Sequence, residues 1–472
     1  MAQVRKDSCV YPGILGAMNR LLILLILFGS QLGLSDFLLL PVYAARHGEL
    51  SFLALYALFK LVIVLPLLHA ELVAGRYYRV SPFELVLDSS VRRWGFGLLG
   101  ALLLAVLFVV ANNLHNAAWT LAVGQDALTG TLAGFDSLDR VLYWYDLGSD
   151  RVRLGQLMLL LVGLLALIAW FAWYGMALVY ALILPLCLAL VVIQLPQLSE
   201  LSARWGWQPI RVDAVFLALR YALTSSIAGF MVWYLVGCRL PQSLPTGRWV
   251  LSVQLFDLLL GMVIVATVVP GLEAVTRSAD SGVVLQALVE RVAGRDLTAD
   301  LSLFLWLAVA IGALGSLPLL LLVTLAVSGR THRGGLLLIL ALGLLLGLLA
   351  LVSAQAQASL TWYGMPLTEV LNWFSFSVVA PVMATLTALW VGWGLSPNQV
   401  LKQVNPKTGS RYLAWRLSVK FVIPLALALT FARATLGLGG VTVPWILGAI
   451  LSGVLLWRVW LWLKRQALYP HF

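Results

Sequence analysis

Charge is what this chain has least of. Asp, Glu, Lys and Arg make up 11% of its 472 residues, where soluble domains carry about 25%. A chain so poor in charge cannot be mainly water-exposed, which excludes an ordinary soluble enzyme or nucleic-acid-binding domain. Cysteine is equally scarce: Cys9, Cys187 and Cys238 have neither metal-site nor disulfide spacing and read as inert packing residues. Hydrolase signatures are missing too. There is no H-E-x-x-H and no nucleophile elbow, and His69-Ala70-Glu71 is an isolated pair, so the chain is read as not an enzyme. No span repeats a pore-lining polar stripe, which argues against a channel. Nothing marks a soluble module or a low-complexity linker.

What is present is apolar sequence, 61% of the residues. Hydropathy predicts about twelve spans, near 14–45, 50–75, 94–124, 154–172, 176–196, 213–238, 248–272, 300–328, 334–355, 367–394, 412–433 and 441–464. The net charge of +11 follows the topology. Arg5, Lys6, Arg76, Arg79, Arg92, Arg93, Arg330, Arg333, Lys402, Lys407 and Arg411 occupy alternate short connections. Asp126, Asp136, Asp139, Asp146 and Asp150, then Glu273, Asp280, Glu290, Asp296 and Asp300, occupy the opposite ones. The positive-inside rule then places both termini in the cytoplasm. The first apolar segment is too long for a cleavable signal and lacks a cleavage site. The expectation is a multi-pass protein of a bacterial inner membrane, with the lipid bilayer and no nucleic acid as partner, monomeric or homodimeric.

Two spans are interrupted. The first holds Gly29-Ser30-Gln31-Leu32-Gly33-Leu34-Ser35-Asp36 at its centre, and Asp36 near mid-bilayer costs about 2.5–3.5 kcal/mol on insertion scales. The sixth holds Thr224-Ser225-Ser226-Ile227-Ala228-Gly229, where the hydroxyls either cap broken helix ends or bond back to their own helix. Each opens a set of five spans. Interrupted segments at corresponding places in two halves point to a solute site between broken helices. The predicted architecture is an all-α polytopic membrane protein forming a single transporter domain: a five-plus-five inverted repeat, 13–198 and 199–394, and two further C-terminal helices, 395–472. Other polar groups at depth are Lys60, Asp257 and a stripe of Asn112, His115 and Asn116 with Asn113 beside it, facing either a wet cavity or neighbouring helices.

These residues resemble a known family, the neurotransmitter:sodium symporters of LeuT fold. Gly33-Leu34-Ser35-Asp36-Phe37-Leu38-Leu39-Leu40-Pro41 is similar to its Gly-Leu-Gly-Asn-x-x-Arg-Phe-Pro signature. Pro66 to Glu71 with Gly75-Arg76 resembles the end of its second helix, and Trp119 fits a third-helix tryptophan. The resemblance implies a secondary transporter working by alternating access, with helices 1 and 6 broken at mid-membrane. It implies solute contacts at Leu34, Ser35, Asp36, Asn113, Asn116, Ser225, Ser226 and Gly229. The implied sodium ligands are drawn from Gly29, Gln31, Leu32, Asp36, Ser226, Asp257 and Ser316.

The departures are specific. Leu39 and Leu371 stand where the family pairs an arginine with an aspartate, which implies an apolar gate. Asn113 stands at the tyrosine that holds a substrate carboxylate. The seventh-span sodium ligand falls at an apolar position near Leu260, and the hydroxyls of the second sodium site fall at Leu314 and Gly315. Na+ is the expected coupling ion and H+ the alternative, with Asp36, Lys60 and Asp257 as candidate coupling groups; chloride finds no support, and no cofactor is expected. The solute is a small polar, zwitterionic or cationic molecule. The rival reading is a transport-dead homologue acting as a membrane sensor or subunit.

Overall fold

The computed structural model describes residues 20–31, 33, 38–87, 92–132, 137–194, 205–240, 244, 246–275, 344, 361–362, 365–366, 373–404 and 409–436. Of the expected spans, those near 300–328 and 441–464 lie outside the described residues, as does all but one residue of 334–355.

The first span is two helices, α1 (Arg20–Gly29) and α2 (Leu40–Arg46), with Ser30 and Gln31 in a turn and Gly33 non-helical between them. Then come α3 (Leu50–Tyr78), the short α4 (Pro82–Leu87) and the long α5 (Arg92–Leu128). The loop helix α6 (Ser137–Ser149) leads to α7 (Arg151–Trp170) and α8 (Ala172–Gln194). The sixth span is also two helices, α9 (Val212–Ser225) and α10 (Val232–Arg239). The chain continues through α11 (Thr246–Val275) and a short antiparallel ribbon, Thr361–Trp362 with Met365–Pro366. The last described elements are α12 (Trp373–Gly394), α13 (Pro397–Val404) and α14 (Gly409–Phe431). Six described helices are long and apolar enough to cross a bilayer, and many leucines on α7, α8 and α14 face outward, as lipid contact requires.

Proline shapes three of these helices. Wide π turns occupy Lys60–Val64, Trp373–Val379 and Ser418–Val422, and Pro66, Pro381 and Pro424 follow each by two residues. A proline donates no N–H, and its ring crowds the carbonyl four residues back, so the preceding turn opens. In α3 the carbonyl thus released, that of Val62, accepts Ser418 Oγ at 3.4 Å, and the Pro66 carbonyl accepts Trp415 Nε1 at 3.1 Å. The distortion is how α14 attaches to α3.

The end of α3 and α10 lie backbone against backbone. A methyl group at Gly75 would overlap the Tyr234 carbonyl, and one at Gly237 the Leu72 carbonyl. Arg76 locks the same end, donating from Nη1 to the carbonyls of Leu244 and Gln403, both at 3.1 Å. At the opposite pole α6 forms a cap. Arg153 grips Asp126 through two N–H groups at 3.0 and 2.8 Å, Tyr143 donates to the same carboxylate at 2.8 Å, and Trp144 stacks on Trp119. Burial, together with the bond to Asp126, pushes the Tyr143 phenol above its ordinary range.

Candidate functional site

Both helix breaks face the same buried centre, and each is made by local chemistry. At the first, Ser30 Oγ donates to the Leu27 carbonyl at 2.7 Å, taking up an acceptor that the ended helix no longer serves. Gly29 abuts the Tyr180 ring, where a methyl group has no room. At the second, three of the six residues 226–231 have positive φ: Ile227 at 49°, Gly229 at 86° and Met231 at 60°. Such angles cannot continue a right-handed helix. The N–H groups of the break therefore need acceptors, and Glu71 of α3 supplies one: Gly229 N–H donates to its Oε1 at 2.8 Å. Replacing Glu71 by Gln keeps an acceptor for this N–H, whereas Glu71→Ala strands it. The expected loss in Glu71→Ala is about 1–3 kcal/mol of stability, with Glu71→Gln losing less, read as the thermal midpoint of the purified protein.

A side chain of α11 joins the two breaks. Gln254 Nε2 donates to Gln31 Oε1 at 2.9 Å, and Ser226 Oγ donates to Gln254 Oε1 at 3.5 Å. Gln31 in turn donates to Ser30 Oγ at 3.1 Å. Leu260, the apolar position where the resemblance places a seventh-span ligand, is buried among apolar groups, and the side chain of α11 that connects the breaks is Gln254. Gln254 is a polar residue in a mostly apolar stretch, three positions before Asp257, a signal the sequence does carry.

Ser225 meets Tyr56 at 3.2 Å, oxygen to oxygen, and donates to the Ala222 carbonyl at 3.3 Å. Tyr56 lies under the Lys60 ammonium, 5.1 Å from ring centre to Nζ. Lys60, fully buried in the π turn of α3, is ion-paired with the buried Asp257 of α11. A buried charge must be matched, and this pair matches two at once. Asp257, one of the cation ligands the sequence suggested, is thereby paired with an ammonium.

The remaining expected residues divide plainly. Thr224 back-bonds to the Arg220 carbonyl at 2.9 Å, so for this hydroxyl the intrahelical reading holds. Asn113 donates to the Val109 carbonyl of its own helix at 3.0 Å, and Thr120 donates to the Asn116 carbonyl at 2.8 Å. Asn113, Asn116 and the gate residue Leu39 are half-buried. Leu32, Leu34, Ser35, Asp36, Ser316 and Leu371 lie outside the described residues. Among the described residues no group of three or more His, Cys, Asp or Glu side chains could hold a metal ion.

No family model matches the chain, and no curated relative matches it. The structural comparison does find a match. MhsT, a bacterial neurotransmitter:sodium symporter solved in complex with L-phenylalanine, superposes with a TM-score of 0.78, covering 88% of this chain and 99% of its own, at 18% sequence identity. Two split helices held together by a buried amide, in that frame, make this chain a mostly helical polytopic membrane protein of LeuT fold.

Proposed function

We propose that this protein is a secondary transporter that carries a small amino-acid-like or amine solute across a bacterial inner membrane by alternating access. The observation that carries the reading is the pairing of two helix breaks through Gln31, Gln254 and Ser226. Free backbone groups at mid-membrane are tolerated only where they line a cavity, and opposed helix ends suit a small charged solute. The bound L-phenylalanine of MhsT supports an amino-acid-like cargo. The solute contacts proposed are Leu34, Ser35, Asp36, Asn113, Asn116, Ser225, Ser226 and Gly229, and the repeats proposed are 13–198 and 199–394.

Coupling is proposed to Na+, with H+ as the alternative. A sodium ion would draw on Asp36, Ser226, Ser316, Gln31 and the carbonyls of Gly29 and Leu32. Asp257, held by Lys60, is left out of that set. The test is uptake of radiolabelled L-amino acids by proteoliposomes under an imposed Na+ gradient, and separately under a pH gradient. Accumulation driven by one gradient and abolished by dissipating it is expected. No accumulation of any amino acid or amine under either gradient would leave the sensor or subunit reading in its place.

A further inference from the structure

Helix α9 carries an arginine whose partner is out of proportion to its charge. Arg220 lies eight residues into the helix and five before its end at Ser225. At 1.5 Å per residue that is about 12 Å from the start of α9 and about 8 Å from the break. It is half-buried, and its Nη1 donates to Ser377 Oγ of α12 at 3.2 Å. Ser377 is fully buried in the π turn of α12, whose Phe376 packs edge-on against Phe230 in the break. The guanidinium therefore sits beside the broken centre, at the α9 end of the pathway.

Among the described residues Arg220 shows no ion pair, unlike Lys60, which pairs with Asp257, and Arg153, which pairs with Asp126. A guanidinium has five N–H donors in a planar fork that matches a carboxylate. One neutral hydroxyl uses one of them. An arginine at this depth in a spanning helix is expensive, and snorkelling over about 12 Å exceeds the reach of its side chain. A mere tie between α9 and α12 would need only a neutral donor. The chemistry missing is an oxyanion.

We infer that Arg220 anchors the carboxylate of the carried solute, with Ser377 holding the guanidinium in place when no solute is bound. The inference rests on the transporter reading and narrows it: the cargo bears a carboxylate, and the span-three tyrosine replaced by Asn113 is not what receives it. Bidentate, charge-assisted hydrogen bonds of this kind distinguish an acid from its amide by about ten- to hundred-fold in affinity.

The experiment measures thermal stabilisation and dissociation constants for the full chain in nanodiscs, using L-phenylalanine and L-leucine, each against its carboxamide, with Arg220→Gln and Arg220→Lys beside the wild type. Glutamine preserves a donor toward Ser377. At least one acid is expected to bind the wild type ten-fold or more tightly than its amide, and Arg220→Gln to lose that preference by weakening the acid alone. Arg220→Lys keeps a charge without the fork. It is expected to retain a reduced preference, and it decides the matter if the glutamine variant does not fold. Equal binding of acid and amide by the wild type, or an unchanged preference in Arg220→Gln, would overturn the inference. If amides and amines were also accumulated in proteoliposomes, the transporter reading would survive that failure. If none of the four compounds bound, both would fall for this solute class.

Discussion

Replacing Lys60 by Met is expected to destabilise the protein by about 3–5 kcal/mol, because it strands a buried carboxylate. The wild-type ammonium is fully buried beside an equally buried Asp257, with the Tyr56 ring beneath it. Neither charge has water to fall back on, so each single removal leaves the other uncompensated. Asp257→Leu should therefore cost a similar amount. The double variant, Lys60→Met with Asp257→Leu, should recover most of the loss, since an apolar pair of similar volume replaces the ion pair. Thermal unfolding of the four proteins in one detergent closes this double-mutant cycle. Additive losses in the double variant would mean the two groups do not act as a pair. Uptake by the double variant adds a separate readout. If the pair takes part in coupling, the folded double variant loses ion dependence; if it is structural alone, ion dependence persists.

The sequence was most readable where a polar or flexible residue interrupts an apolar run. Gly29, Ser30 and Gln31 in the first span, and Ser225 to Gly229 in the sixth, mark breaks that the structure contains. Glycine and hydroxyl residues there have no reason to be chosen for lipid contact, so the signal is local and strong. The depth of Lys60 and Asp257 was equally legible, but their pairing was not. Residues 197 positions apart carry no periodicity that relates them (257 − 60). Gln254 is hard to read for a different reason: the resemblance points to Leu260, while the side chain that bridges the breaks enters from nearly two turns earlier. The π turns were half-legible. Each proline was visible, yet whether it kinks, ends or widens a helix depends on whether a neighbour such as Ser418 takes the freed carbonyl. Glu71 is legible as part of a motif, and its bond to Gly229 in the break needs the fold.

Gly229→Ala is expected to abolish transport and to lower stability by about 2–4 kcal/mol, summing left-handed backbone strain and a backbone collision. The φ of 86° is one that an alanine adopts only under strain, and the new methyl would overlap the carbonyl of Ala380 in α12. Relief requires moving either α12 or the break. Moving the break would pull the Gly229 N–H from Glu71, so the break would lose that acceptor in the same step. Gly163→Ala in α7 is the matched control: its added methyl meets no atom within 4 Å, and alanine in an exposed helical position should be neutral or stabilising by about 0.5–1 kcal/mol. Proteoliposome uptake and thermal midpoints of the two variants separate a general glycine effect from a local one. Wild-type uptake by Gly229→Ala would mean that the broken segment can move without cost, and that its geometry is not what cradles the solute.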